Sequence, residues 1–478
     1  MKKLTLKVFF SAFMLMFAVA VAAQEKTVAV LAINDMHAYL DRMPQFGAVV
    51  DSLKDIYPNL FIASAGDNRT GNPFNDMYPE PSRPMTELMN AIGFNVSTLG
   101  NHEFDAGFEN LKKQMGYSKF PYLCSNVHVP DSLDYTFEPY RIFDVDGVKV
   151  GILGVLQLGK AGIPDCHPDC VKGFRFTPVV QAIEKYANVV RKQCDVEILL
   201  SHIGDVDDKK MAEQFPMFDA ILGGHSHALI EPNTMVNNVL VVQSKNKVRY
   251  CTLVKFNLKD GKVASKSSEV IDIEKSSKSS DKIAQMVADF CKNPELEKRL
   301  TTLEKPVRGY DNFGCMMTDG QAWASNCQIA IQNGGGVRFD YHDAGDFTVK
   351  DALMLDPFGN SMWTFKLTGK QILDVIKTCK EQDEGVEPYT SGMTYIMYVD
   401  KNTDKVLEVK GFLPNGKPIK PKKQYSVAAN SYTVSITDMK KYGGVETTKC
   451  ACDCMREFLS QKQSVDYSNR RSAQIIKK

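Results

Sequence analysis

This chain has almost no net charge. Its 58 lysines and arginines nearly cancel its 57 aspartates and glutamates, leaving +1 over 478 residues. A protein whose main partner is a nucleic acid or an anionic membrane carries a basic excess, so neither is expected as the principal partner. Long apolar runs are missing after the first two dozen residues, which leaves no candidate for a stable membrane anchor in the body of the chain. There is no internal repeat. Neither cysteine-rich stretch, DCHPDC (165–170) or KCACDC (449–454), has the paired C-x-x-C spacing of a structural zinc module. Histidine is scarce, with eight in all.

The one long apolar run, FFSAFMLMFAVAVAA, follows Lys2, Lys3 and Lys7 and ends in small residues before Gln24. A basic start, an apolar middle and a small-residue end describe a cleavable secretory signal, so residues 1–23 are expected to be removed and the mature chain exported to the periplasm or beyond. In such a compartment the 12 cysteines permit disulfides. Cys166 and Cys170 could bridge a local loop, whereas Cys450, Cys452 and Cys454 are too close together to pair only with one another.

The length predicts two domains. From residue 27 short apolar runs (TVAVLAI, NLFIASAG, NVSTLG, VKVGILGV, VEILLSHIG, FDAILGGH) alternate with helix-like stretches such as MTELMNAIG and FTPVVQAIEKYANVVRKQ. That alternation predicts a layered α/β domain over residues 24–275. The Ser- and Lys-rich stretch that closes it leads into a linker or connecting helix over 276–300. A second domain is expected over 301–478.

Five polar clusters each follow an apolar run: NDMH with Asp35 and His37, GDN with Asp67, GNHEFD with Asn101, His102 and Asp105, SHIG with His202, and GGHSH with His225 and His227. Strand ends are where ligand groups converge in open α/β sheets. Asp35 and His37 are two residues apart, so on an extended segment they point the same way, and the same holds for His225 and His227. Glycines before Asp67, Asn101 and His225 allow sharp turns. Seven oxygen and nitrogen donors suit two divalent cations, with zinc, manganese, iron or cobalt all compatible. Two ions need a bridging carboxylate, and Asp67 is the natural candidate. His128, His167 and His342 are left as surface or loop residues, and Glu103 and Phe104 as structural ones.

Taken together and in this order, these blocks resemble the calcineurin-like metallophosphoesterase signature. NGGGVR (333–338), DPFGN (356–360) and VAANSY (427–432) are similar to the C-terminal blocks of the bacterial 5′-nucleotidase and periplasmic UDP-sugar hydrolase family. The resemblance implies a four-layer α/β/β/α sandwich with a second, smaller α/β substrate-binding domain. It implies one metal (zinc, manganese or cobalt) on Asp35, His37, Asp67 and His227, and another on Asp67, Asn101, His202 and His225. It makes His102 and Asp105 the catalytic pair, and the substrate a nucleotide. Asn333 and Arg338 would contact that substrate, Phe358 and Tyr432 would stack on its base, and Asp438 would accept from sugar hydroxyls. The expected activity is phosphate release from nucleoside 5′-monophosphates, with UDP-sugar cleavage as a second one. A 2′,3′-cyclic-nucleotide phosphodiesterase and a silent nucleotide-binding protein are the alternatives. One departure from the family pattern follows Tyr432, where Ile436 and Thr437 stand in place of glycines.

Overall fold

The computed structural model describes residues 25–383 and 386–478; the predicted export signal lies outside them. Two six-stranded sheets stack face to face in the first domain. One runs Lys262–Asp272, Tyr250–Lys259, Glu25–Ile33, Phe61–Ser64, Val96–Thr98, Tyr122–Leu123, and the other Met235–Val236, Val239–Val242, Ala220–Leu222, Val196–His202, Val148–Leu156, Tyr140–Val145. The run TVAVLAI shows why. Val28, Val30 and Ala32 pack between the sheets, while Ala29, Leu31 and Ile33 pack against helices. A strand buried on both faces reads as a continuous apolar run rather than an alternating one.

Helices Met43–Ile56, Arg83–Ile92 and Phe108–Tyr117 cover the outer face of the first sheet, with Phe46, Val50, Leu88 and Leu111 in their shared core. Val179–Arg191 and Asp205–Gln214 cover the second through Ile183, Ala187, Met211 and Phe215. The layers are therefore α/β/β/α. The stretch after residue 275 is largely a helix, Asp281–Phe290, seated on the first domain: Ser280 N donates to Pro44 O, and Ile283 packs into the space over Gly47.

The second domain is built on a five-stranded sheet ordered Tyr389–Ser391, Ile329–Gln332, Gln424–Asn430, Ser361–Thr368, Val445–Cys450. Ile329–Gln332 and Gln424–Asn430 are parallel neighbours, Ile331 opposite Ala429. Their carboxyl ends therefore emerge at one edge, which places NGGGVR beside Tyr432. All twelve cysteines carry free thiols, so the permitted disulfide at Cys166 and Cys170 is not formed here. No helix among the described residues is long and apolar enough to cross a membrane.

Glu197 lies on a central strand, fully buried, and neither carboxylate oxygen has a hydrogen-bond partner. Arg191 is 3.9 Å away and is already paired with Asp219 at 2.8 Å. Burial pushes the Glu197 carboxyl up to about 8, from 4.5. The folded state thus holds a proton that the unfolded chain releases above about 4.5, and stability falls as pH rises from there towards about 8. Glu197→Gln removes that loss. Urea unfolding at pH 5 and pH 8.5 should show the variant gaining on the native chain by up to a few kcal/mol at the higher pH. An equal difference at both pH values would show that the carboxyl does not titrate as its burial requires.

Candidate active site

Four of the five polar clusters lie beyond the carboxyl ends of first-domain strands, and the fifth contributes His202, the last residue of Val196–His202. Three groups of donor atoms result: Asp35 with His37 and His227, His37 with Asp67 and His102, and Asp35 with Asp67 and His202. Within each group the atoms lie within 4.8 Å of one another. Asn101 and His225 join them, with Asn101 Oδ1 3.1 Å from His225 Nδ1 and the His225 ring 5.2 Å from that of His202.

The backbone does this differently from the extended segments that residue spacing suggests. Asp35, His37, Asp67, His225 and His227 all have positive φ, between 47° and 81°. That conformation is rare for residues with a Cβ, and it gathers at functional sites where the surrounding fold over-determines it. Each pair is brought together by a coiled loop, not by strand alternation. Two glycines make the approach possible. A Cβ on Gly100 would lie 2.1 Å from Asp67 Oδ1, and one on Gly66, at φ +88°, would lie 2.6 Å from Gly100 N.

The donor set fits cations. His37 Nε2 and His227 Nε2 face each other at 3.0 Å. His202 Nε2 is buried without a hydrogen bond, 3.2 Å from Asp67 Oδ2. Burial acts against a charged His202, but Asp67 and Asp35 outweigh it and hold the imidazole up at about 10. Burial would raise Asp67, and the imidazoles of His202 and His102 reverse that and keep it well below the usual carboxylate range. Asp35 and Asp67 thus favour positive charge at the inner end of the pocket. His37 and His227 are pushed down by burial and, at each, by Arg338, which keeps both available as neutral ligands.

His102 and Asp105 meet as a pair, Nδ1 to Oδ2, at 2.8 Å. Burial lowers His102, but Asp105 and Asp67 together raise it above the ordinary imidazole value. Glu103 sits beneath the site, fully buried, and accepts from the amides of Gly100 at 2.6 Å, Asp67 at 2.9 Å and Asn68 at 2.8 Å. It ties two ligand loops together, while Phe104 is buried against Phe174.

The second domain closes over this centre. Arg338 Nη2 donates to His37 Nε2 at 3.0 Å, and Phe358 lies over the His102 ring at 5.7 Å. Asn333, Arg338, Phe358 and Tyr432 line the same cavity of about 340 Å³ as Asp67, Asn101, His102, Asp105, His225 and His227. Asn333 is also fixed from behind, its Oδ1 accepting from Asn430 Nδ2 at 3.1 Å.

Asp438 is not on that wall. The residues after Asn430 form a helix, Ser431–Ile436, and a further turn, which leave Asp438 exposed and paired with Lys441 at 3.4 Å. With Ile436 and Thr437 in place of glycines, the chain keeps to helix and turn and carries the carboxylate away from the cavity. Another acid, Asp383, lines the cavity instead and accepts from Gly335 N at 2.8 Å. The cavity also takes in Asp165, His167, Lys247 and Tyr310, none of which falls in a motif. The strand-end position of QLGKAGIPDCHPDC after the run VKVGILGV was the one available signal for Asp165 and His167. His128 and His342 lie elsewhere, bonded to Thr177 and paired with Asp351.

Residues 28–229 match the calcineurin-like phosphoesterase family, and residues 292–440 match the 5′-nucleotidase C-terminal domain. A 5′-nucleotidase of Vibrio cholerae is 24% identical over 85% of this chain and 83% of its own length. The endonuclease YhcR of Bacillus subtilis is 26% identical over 86% of this chain, which spans only 37% of that relative. The crystal structure of a 5′-nucleotidase precursor from Thermus thermophilus superposes with a TM-score of 0.85 at 21% identity, over 95% of this chain and all of that one.

Proposed function

Because the chain belongs to the calcineurin-like phosphoesterases that carry a 5′-nucleotidase C-terminal domain, we propose that it is a two-metal 5′-nucleotidase. It releases phosphate from nucleoside 5′-monophosphates, takes UDP-sugars as a second substrate class, and works outside the cytoplasm, in the periplasm or beyond. One observation carries this reading: a single cavity joins the first domain's carboxylate–imidazole cluster and His–Asp pair to the arginine and aromatic rings of the second.

Asp35, His37, Asp67 and His227 would hold one ion, and Asp67, Asn101, His202 and His225 the other, with zinc, manganese or cobalt all suited to the donors. Bound there, the ions would lower the pKa of a water enough to provide hydroxide at neutral pH, the nucleophile that phosphate-ester hydrolysis needs. The remaining work falls to side chains. Arg338 reaches into the centre and can bind phosphate oxygens as a two-pronged donor. His102 carries the proton for the departing alkoxide oxygen, and Asp105, at its other ring nitrogen, fixes its orientation and keeps it protonated. Phe358 and Tyr432 would stack on the base and Asn333 would contact the substrate, all three from the wall of the cavity.

The test is phosphate release from AMP, UDP-glucose and 2′,3′-cyclic AMP, after chelation and after return of manganese, cobalt or zinc. Metal-dependent release from AMP supports the reading, and silence on AMP with metal bound overturns it. The substrate wall makes a second prediction. Tyr432→Ala should raise KM for AMP by roughly 5- to 150-fold, the worth of one stacking contact. Asp438→Ala should leave KM within about twofold, as expected of an exposed side chain with no part in a site. A large effect of Asp438→Ala would return that carboxylate to the sugar.

A further inference from the structure

The loop 157–170 lies outside the five strand-end clusters, yet it reaches two metal-ligand candidates through one residue. The backbone carbonyl of Asp165 accepts from Asn101 Nδ2 at 2.9 Å. An amide whose NH₂ is committed in one direction turns its oxygen the other way, and Asn101 Oδ1 faces His225 Nδ1 at 3.1 Å. At the other nitrogen of that imidazole stands the Asp165 carboxylate, Oδ2 to Nε2 at 3.8 Å. The carboxylate is held in place. Gln157 Nε2 donates to Oδ2 at 2.5 Å, Asp165 N donates to Gln157 Oε1 at 3.3 Å, and a Cβ on Gly159 would lie 2.2 Å from Oδ1. Gly159 therefore leaves the room the carboxylate occupies.

We infer that Asp165 is a positioning residue for the metal site of Asn101 and His225. Its carbonyl selects the amide orientation of Asn101. As a hydrogen bond, the His225–Asn101 contact has Nδ1–H donating to Oδ1; a cation held by both atoms needs that hydrogen on Nε2 instead, and the carboxylate beside Nε2 favours it there. The 3.8 Å separation is an ion-pair distance, so the carboxylate acts on the proton's position through its charge. Carboxylates behind ligating histidines orient the ring and raise its basicity, and losing one costs roughly 10- to 100-fold in metal affinity. The inference rests on the two-metal reading of the site but on no particular substrate.

The experiment uses the full chain, stripped of metal and titrated with Mn²⁺ by calorimetry, as native protein, Asp165→Asn and Asp165→Ala. Asp165→Asn keeps the side-chain size that Gln157 and Gly159 surround, so it remains informative if the alanine variant fails to fold. In parallel, ¹⁵N-histidine spectra of the metal-free protein read the His225 tautomer. The native chain should take two equivalents. In Asp165→Asn one equivalent should be unchanged and the other weakened by about 10-fold or more, with His225 moving from a mixture of the two tautomers to the Nδ1–H form. Two equivalents within about twofold of native, with an unchanged tautomer, would overturn the assignment. A native chain that binds fewer than two ions overturns the two-metal reading instead, and the tautomer alone then decides the role of Asp165. Two bound ions with no phosphate release from AMP would reject the nucleotidase reading and leave this titration intact.

Discussion

Asp67→Asn should reduce the metal content of the chain from two ions to at most one and lower phosphate release by about a thousandfold or more. Elemental analysis after exhaustive dialysis and single-substrate kinetics are the two measurements. The magnitude follows from what a metal pair supplies, an acidic water and several kcal/mol of charge stabilisation, both of which depend on the ions being held. The choice of Asp67 follows from its surroundings. It is buried, its Oδ2 is 3.2 Å from His202 Nε2 and 3.9 Å from His102 Nε2, and its Oδ1 accepts from the His102 amide at 2.9 Å. Asparagine can take the same place and keep that amide bond through its carbonyl oxygen. What it removes is the charge that holds His202 and His102 up and offsets the cations. The fold is expected to survive, since Glu103 ties the ligand loops together through three backbone amides and asparagine keeps the one that Asp67 holds. If the variant kept both ions and lost less than about tenfold in rate, the centre would have to be organised around a different carboxylate. Asp35, which also belongs to two of the three donor groups, would be the next to test.

Much of this site could be read in the sequence because its ligands sit at the ends of parallel strands. The apolar run, the glycine and the polar cluster are contiguous, and parallel pairing alone brings several such ends to one edge. The layers were legible for a related reason: runs such as TVAVLAI are apolar throughout, which only strands with two covered faces require. What escaped was the geometry that contiguity does not encode. Asp35 and His37 were expected on an extended segment, but the loop is coiled through left-handed residues, a conformation imposed by packing against neighbouring loops. Lys247 and Asp383 stand in stretches with no local signature, and Asp165 in one whose only signal was its place after a strand; all three matter because the fold lays those stretches against the cavity. Asp438 has a plausible spacing from Tyr432, yet spacing along the chain cannot say which side of a helix and turn will face the substrate.

The second large effect is expected at His102, and it should depend on the leaving group. His102→Ala should lower kcat for AMP by roughly 10²- to 10⁴-fold, the range for removing a positioned general acid. The loss should shrink to about tenfold or less on p-nitrophenyl phosphate, whose leaving oxygen departs without needing a proton. The contrast is informative because three roles are open to a histidine in this position. As a metal ligand, its removal would cost both substrates alike and release an ion. As a clamp on the phosphate, it would again cost both, mainly in KM. Only as a proton donor to the leaving oxygen does it separate the two substrates in kcat while the metal content stays at two. The geometry favours the donor. Asp105 occupies Nδ1 at 2.8 Å, and Phe358 covers one face of the ring. Nε2 stays 3.9 Å from Asp67 Oδ2, outside hydrogen-bond reach, and the side chain lines the cavity. Asp105→Asn should then follow His102→Ala in kind, with a smaller loss in kcat for AMP and little change for p-nitrophenyl phosphate. The asparagine can still hold the ring but no longer favours its charged form. Equal losses on the two substrates, for either variant, would make His102 a ligand if an ion is released and a phosphate clamp if not, and would require another source for the proton. His167, on the wall of the same cavity, would be the first residue to examine.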